Sequence, residues 1–354
     1  MPKAVTSNLP VSGLFGVVKP SGPTSMAIVH DLQQLIARSR LFATADKLEE
    51  AKKRKITKRR GKQSREAIKV GQGGTLDPLA DGVLVIGVGK GTKKLSDFLN
   101  CTKEYTTTCL LGCETDTYDS EGARVRLAPW HHVTPELIKS MLPKFTGEIK
   151  QTPPIFSALK MDGKPLYEYA RKGIPLPRPI EARSVTVHSL ELIEWKGSDH
   201  SYKWPEKSMS EDEKKAMEVA LKSVDASVEL KDEAEIPTEK EAPIAFKLKM
   251  RVSGGTYVRS IVHDLAHAVG SAGHVVTLGR TRQGRFVQEA TEEGDVTCVP
   301  WELFEKAAAG DEEVDEEGWA PWERQVMENL EIVEEHGSNK PKAASSSAPI
   351  ILKA

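Results

Sequence analysis

The stretch VGQGGTLDPLADGVLVIGVGKGTKKL, residues 70–95, decides how this chain is read. Its first glycines permit backbone angles and ligand approaches that a Cβ forbids. Asp77 stands before Pro78, which disfavours helix at the aspartate and holds it extended or in a turn. VLVIGVG (83–89) carries no charge and reads as a fully buried strand anchoring that loop. A carboxylate is presented for chemistry on this kind of rigid support. An Asp-Pro pair by itself would mean only a turn, so the weight falls on what accompanies it. GVGKGTKK (87–94) lacks the G-x-x-x-x-G-K-[ST] spacing of a phosphate loop and the G-x-G-x-x-G of a dinucleotide fold.

Outward from this loop, the chain alternates strands with short helices. LFGVVKP (14–20) reads as an apolar strand, and Thr24-Ser25 caps a helix through about Ala37. Tyr105 to Gly112 is strand-like, followed by the turn-prone TDTYDSEG (115–122). Thr134-Pro135 opens a short helix to about Leu142. VTVHSLELIEW (185–195) and IAFKLKMRVS (244–253) alternate as half-buried antiparallel strands do, and Val258 to Val269 is helical. Strands outnumber helices, so the expected class is α+β around a mostly antiparallel sheet flanked by helices.

Composition narrows the function classes. The 354 residues carry 50 Lys+Arg against 51 Asp+Glu, a formal net charge of −1, with 39% hydrophobic residues. No run approaches the ~18 apolar residues of a membrane span, and MPKAVTSNLPVSG (1–13) has neither a secretory core nor an Arg-rich amphipathic pattern. The four cysteines form no C-x-x-C pair, so no zinc ribbon or disulfide framework is expected and the compartment reads as intracellular. Charge is segregated. KKRKITKRRGKQSR (52–65) is purely basic, whereas 289–335 is acidic around DEEVDEE (311–317). The basic run suits an import signal or a phosphate-binding arm, with a solvated loop as the bland alternative. The stretches 40–68 and 198–241 read as surface insertions, and 337–348 as a flexible tail.

Three further blocks matter. KEYTTTCLLGCETDTYDSEG (103–122) offers Tyr105 as an aromatic face suited to stacking on a base. QTPPIFSALKMDGKPLYEYAR (151–171) brings Lys160 and Arg171, and GGTYVRSIVHDLAHAVG (254–270) puts Arg259 in the first turn of a helix. His263 and His267, four apart, share a face and suggest a metal pair. The zinc-protease pattern would need Glu where Asp264 stands, and no third ligand is evident, so structural histidines are expected.

Taken in order, VVKPSGPTS (17–25), G-G-T-L-D-P, K-x-Y with L-G-x-x-T-D-T, Q-x-P-P-x-x-S-A-x-K and G-T-Y-x-R closely resemble the TruB family of RNA pseudouridine synthases. The resemblance runs from Gly13 to about Phe286. It implies a tail (1–12), a pseudouridine synthase catalytic domain (13–286), an acidic extension (287–336) that either completes the catalytic domain or forms a small appendage, and a flexible tail (337–354). The insertions, and a C-terminus without an evident PUA module, look most like eukaryotic, fungal-type members acting at tRNA position 55. The resemblance implies that Asp77 is the nucleophile detaching uracil, that Tyr105 stacks on the flipped base and assists proton transfer, and that Arg259 pairs with Asp77. Leu278 would line the uracil pocket. Lys19, Gln72, Tyr257, Lys160 and Arg171 complete the expected substrate-binding set. Neither metal nor other cofactor is expected. The partner is the T arm of tRNA, with some mRNA uridines as further candidates, met by a monomer; nucleus, cytoplasm and mitochondrion stay open.

The chain departs from the family pattern at three places. Gln72 stands where the family has the histidine of G-H-x-G, Asp81 where a small or hydroxyl residue is usual, and Gly279 at the first Arg of L-R-R. Gln cannot become cationic near neutral pH. Two rival readings remain beside the stand-alone enzyme: a guide-RNA-dependent, dyskerin-type synthase, and a non-catalytic tRNA-folding protein that kept the fold.

Overall fold

A computed structural model describes residues 9–54, 68–154, 159–166, 168–169, 174, 176–222, 230–233, 242–311 and 313–334. The chain enters β1 (Gly13–Lys19) and turns into α1 (Ser25–Ile36), where the Thr24 hydroxyl accepts the Ala27 N–H as an N-cap. α2 (Ala45–Arg54) follows, then β2 (Val70–Gln72), β3 (Asp81–Val88), α3 (Leu95–Asn100) and β4 (Lys103–Leu111). A hairpin of β5 (Cys113–Thr115) and β6 (Arg124–Leu127) precedes α4 (Pro135–Met141), which Thr134 caps. β7 (Gly147–Gln151), the small pair β8 (Lys160–Met161) and β9 (Lys164–Pro165), and the long β10 (Arg183–Gly197) come next. After α5 (Glu211–Lys222) run β11 (Ala245–Val252), α6 (Val258–Ala268), β12 (Gly273–Gln283) and β13 (Phe286–Val287). The described C-terminal part holds β14 (Val296–Thr297), β15 (Val299–Pro300), α7 (Trp301–Ala309), α8 (Pro321–Asn329) and β16 (Glu331–Ile332).

These strands form the expected α+β, mostly antiparallel mixed sheet, in the order β15–β1–β3–β12–β4–β11–β10–β7. β10 to β11, β11 to β4 and β4 to β12 are antiparallel, while β12 meets β3 in parallel at Gly279–Asp81 and Arg280–Gly82. That short parallel contact brings the end of the aspartate loop onto the middle of β12. It depends on Gly82, whose φ is +101° and where a Cβ would lie 2.2 Å from the Arg280 carbonyl oxygen. Helices α1, α4 and α6 cover one face, burying Ile28, Leu32, Ile138, Val262 and Leu265 in one core with Phe246 and Leu248.

Three sequence-derived boundaries need correction. The stretch 40–68 does not begin as a surface insertion, because Leu41, Phe42 and Ala43 are buried and Leu41 O accepts the Val11 N–H. Within 198–241, Trp204 packs edge-on to Trp130 and donates to Leu111 O, and Lys207 O accepts from Arg124 N. The described parts of this polar segment therefore fold over the β5–β6 hairpin. The boundary at 286 cuts β13, and the acidic extension is not separate. β15 pairs with β1 in parallel and β16 pairs with it antiparallel. The Phe15 ring lies 6.3 Å from Phe42 and 6.5 Å from Phe304 of α7, so all three segments share one core. Most acids of α7 and α8 lie on exposed faces, with Glu323 a buried exception that accepts from Ser39 Oγ, whereas Trp301, Phe304, Trp322 and Val326 point inward. The basic run beyond Arg54 and the 337–348 tail lie outside the described residues.

Candidate active site

The aspartate loop, between β2 and β3, is tied down along its length. Gly73 N donates to Val85 O, while the Gln283 side chain donates to Gly73 O and the buried Arg280 to Gly74 O. Ser25, at the start of α1, exchanges two hydrogen bonds with the Leu76 backbone, both 2.8 Å. Lys19 was expected to bind substrate. It is instead fully buried, and its ammonium donates to the carbonyls of Pro20, Pro78 and Ala80 at 2.8, 3.3 and 2.6 Å. Burial draws its pKa down to about 8, against the pull of Asp81 and Asp77. Its contribution is the shape of the loop. Gln72 also turns inward: its carbonyl oxygen accepts from Gly74 N and its amide donates to Thr75 Oγ1 at 2.9 Å.

From the other side comes α6. Its first turn is set by Gln151, whose side chain accepts the Tyr257 N–H at 2.7 Å and donates to the Tyr257 carbonyl at 3.0 Å. Tyr257 is thus held by its backbone at the helix N-cap. Two residues on, Arg259 Nε lies 2.8 Å from Asp77 Oδ2. Arg259 Nη1 donates to Thr117 O at 2.6 Å and lies 3.6 Å from Asp119 Oδ2. One buried guanidinium therefore spans the aspartate loop and the turn after β5. Asp119 accepts from Thr117 Oγ1 and Glu121 N, and burial pushes its carboxyl up to about 6, with Arg259 opposing that rise.

Tyr105 on β4 and Leu278 on β12 are both buried, in the same core cluster as Leu76, which precedes Asp77, and Val258, which precedes Arg259. The sheet register sets Tyr105 opposite Arg280 and Leu278 opposite Thr107, two residues along the same strand pair. The expected pocket residues are thus on neighbouring strands next to the loop. Lys160 stands apart, exposed on the small β8–β9 hairpin, and Arg171 lies outside the described residues. Lys90, Lys93 and Lys94 are exposed on the turn after β3. At ~3.3 Å per strand residue, that turn is about 25 Å from the loop end of β3.

Sequence reasoning missed Asp119, Arg280 and Ser25. Asp119 reads from the sequence only as part of the TDTYDSEG turn; Ser25, at the helix start, and Arg280, at the second Arg of L-R-R, give no local sign of their partners, which are backbone groups distant in sequence. Two of the departures from the family pattern meet in space. Gly279 pairs with Asp81, and a Cβ at 279 would lie 2.8 Å from Asp81 Oδ1. The carboxylate at 81 is accommodated by the missing side chain at 279.

The histidine pair needs a correction too. A third group does face it: Glu114 of β5 lies 3.0 Å from His263 Nε2 and 2.9 Å from His267 Nε2. The three ligand atoms lie within 4.8 Å of one another. Arg126, however, sits 3.3 Å from Glu114 Oε2 and 3.2 Å from His267 Nε2. A permanent cation already occupies the side of the cluster where a divalent ion would have to bind, so these residues do not fit a metal site.

Residues 58–208 match the model of the N-terminal domain of TruB family pseudouridylate synthases. The chain is 36% identical over 342 residues to tRNA pseudouridine synthase 4 of Schizosaccharomyces pombe, covering 82% of each chain. It is 37% identical over 311 residues to tRNA pseudouridine synthase 4 of Saccharomyces cerevisiae, covering 77% of each. A bacterial relative, tRNA pseudouridine synthase B of Aromatoleum aromaticum, is 38% identical over 237 residues, 67% of this chain and 61% of its own. With such identity spread over most of its length, and with the loop, strand and helix of the motif blocks meeting around Asp77 and Arg259, the chain belongs to the TruB family of pseudouridylate synthases.

Proposed function

We propose that this protein is a stand-alone tRNA pseudouridine synthase that isomerises a T-loop uridine, at position 55, with Asp77 as nucleophile. The observation that carries this reading is the Asp77–Arg259 ion pair on a loop tied down by Ser25, Lys19, Arg280 and Gln283. The names of the two yeast relatives support tRNA as the substrate.

In this mechanism the target nucleotide leaves its stack and its base enters the pocket against Tyr105 and Leu278. The Asp77 carboxylate, oriented by Arg259, bonds to C1′ as the bond between C1′ and N1 breaks, splitting one hard step into two. The freed uracil turns, C5 bonds to C1′ as the Asp77 carboxylate leaves it, the C5 proton leaves and N1 gains one. Atoms and electrons balance without an external oxidant or reductant. The protein acts as a monomer on the T arm, through phosphate contacts and the shape of the folded loop, so binding should weaken steeply with salt.

The test uses purified protein and an unmodified tRNA transcript tritiated at uridine C5, with no guide RNA. Tritium released to water, with the product mapped to one T-loop uridine, is the expected outcome. Tight, salt-sensitive binding without release would contradict it and favour a tRNA-folding protein or a guide-dependent synthase.

A further inference from the structure

Arg259 and His263 are four apart on α6 and share one face of the helix. That face grips a single segment of chain at both ends. Arg259 takes the Thr117 carbonyl and lies beside Asp119. One turn later, His263 Nε2 meets Glu114 Oε1 at 3.0 Å, and its ring stacks on Tyr118 with 3.9 Å between centroids. Tyr118, between the two residues that Arg259 touches, has a φ of +61°. A bulky residue rarely adopts this conformation, and it persists only where its surroundings over-determine it. The stacked imidazole supplies part of that constraint.

We propose that the buried Glu114–His263 pair is a positioning device for Arg259, locking α6 and the 115–119 turn in the register that delivers the guanidinium to Asp77. The proposal rests on the functional reading given above, in which that delivery matters. His263 is a positioning residue, not a catalytic one, because nothing in it reaches the reacting atoms.

The charges around the pair agree with this role. His263 Nδ1 lies 2.9 Å from Asp264 Oδ1, so both ring nitrogens face carboxylates and the imidazole is a cation. Burial would draw its pKa down, but Glu114 and Asp264 hold it up, at about 9. Burial likewise pushes the Glu114 carboxyl up, and His263 and His267 more than reverse that, leaving it well below the usual carboxylate range. Arg126 and His267 complete the cluster from β6 and the next turn of α6. A buried pair of this kind contributes little net stability and much geometric definition, and breaking it by removing one partner is costly.

The test is a double-mutant cycle read in single-turnover rate and in tRNA affinity. His263→Gln keeps a hydrogen bond to Glu114 but loses the cation and the stacked ring. It should slow the chemical step about tenfold to a hundredfold, as small misplacements of a catalytic group do, while the tRNA Kd changes less than about threefold. In an Arg259→Lys background, adding His263→Gln should change the rate less than about twofold, because the group being positioned is already gone. Tyr118→Ala, on a partly exposed side chain, should share the loss even if His263→Gln folds poorly, and Tyr118→Phe should restore it. Equal fold-losses in the wild-type and Arg259→Lys backgrounds would overturn the proposal, as would unchanged rates for both His263→Gln and Tyr118→Ala. A parallel fall in tRNA affinity would also overturn it. Asp77→Ala run beside these separates the two claims: an active Asp77→Ala sinks the functional reading, whereas a dead one with additive losses sinks only the positioning role.

Discussion

Arg259 Nε stands 2.8 Å from Asp77 Oδ2, and the two side chains are unequally covered: 5% of the arginine is exposed against 36% of the aspartate. The cation is sealed within the fold while the carboxylate keeps part of its surface open. A buried guanidinium holding a half-open carboxylate from behind aims it, yet leaves it accessible to a substrate. The expectations below start from this asymmetry.

Protonating Asp119 removes a negative charge beside Arg259. Its carboxyl is raised from the ordinary 3.8 to about 6, chiefly by burial. An acid raised in the folded state favours the fold most at low pH, and that contribution is lost as pH rises from 3.8 to about 6. Activity should run the other way, because the ionised form orients Arg259. The single-turnover rate should fall as pH drops through about 6. Asp119→Asn should lack this limb and sit about tenfold lower at pH 8, without a lower melting temperature there. A limb that survives the substitution would assign it to another group.

Gln72 closes a small ring with Gly74 and Thr75 within the loop. Histidine can accept the Gly74 N–H through a ring nitrogen, so Gln72→His should preserve the loop. Turnover is expected to change less than tenfold, roughly 1.4 kcal/mol. A larger gain, measured by tritium release under saturating tRNA, would mean that the glutamine holds the enzyme back.

Gly82 carries the parallel contact between β3 and β12. A Cβ there meets backbone at 2.2 Å and must also adopt a φ of +101°. Gly82→Ala should destabilise by about 3 kcal/mol or more. Urea unfolding followed by tryptophan fluorescence would measure it, and a loss under about 1 kcal/mol would show that the strands can part there without cost.

Trp322 of α8 is 4% exposed and packs on Phe304 with 5.6 Å between ring centroids. If the acidic segment completes the core, Trp322→Ala should cost about 3–5 kcal/mol, as other large aromatic truncations do. A separately folding appendage would instead leave the main unfolding transition unmoved.

Much of the site was legible because its motifs are local. A Gly-rich loop with Asp-Pro before a chargeless strand needs no tertiary knowledge, and strands such as β10 and β11 show their period plainly. The helix caps at Thr24 and Thr134 were readable for the same reason. What stayed hidden is what the fold joins across distance. Ser25 is 51 residues from the Leu76 backbone it clasps, and Glu114 is 149 residues from His263. α7 and α8 were obscured in a different way. Their exposed faces carry so many acids that composition outweighed the few large apolar residues turned inward. In 198–241, overall polarity concealed one anchoring tryptophan, Trp204, in the same manner.

The most direct test of the account removes the carboxylate alone. Asp77→Ala is assayed with a C5-tritiated, unmodified tRNA transcript under single turnover, with tRNA affinity measured beside it. The account predicts that tritium release disappears while tRNA binding stays within a few-fold of the unaltered protein. Release that persists at a tenth of the normal rate or more would contradict it, because the nucleophile would then have to lie elsewhere.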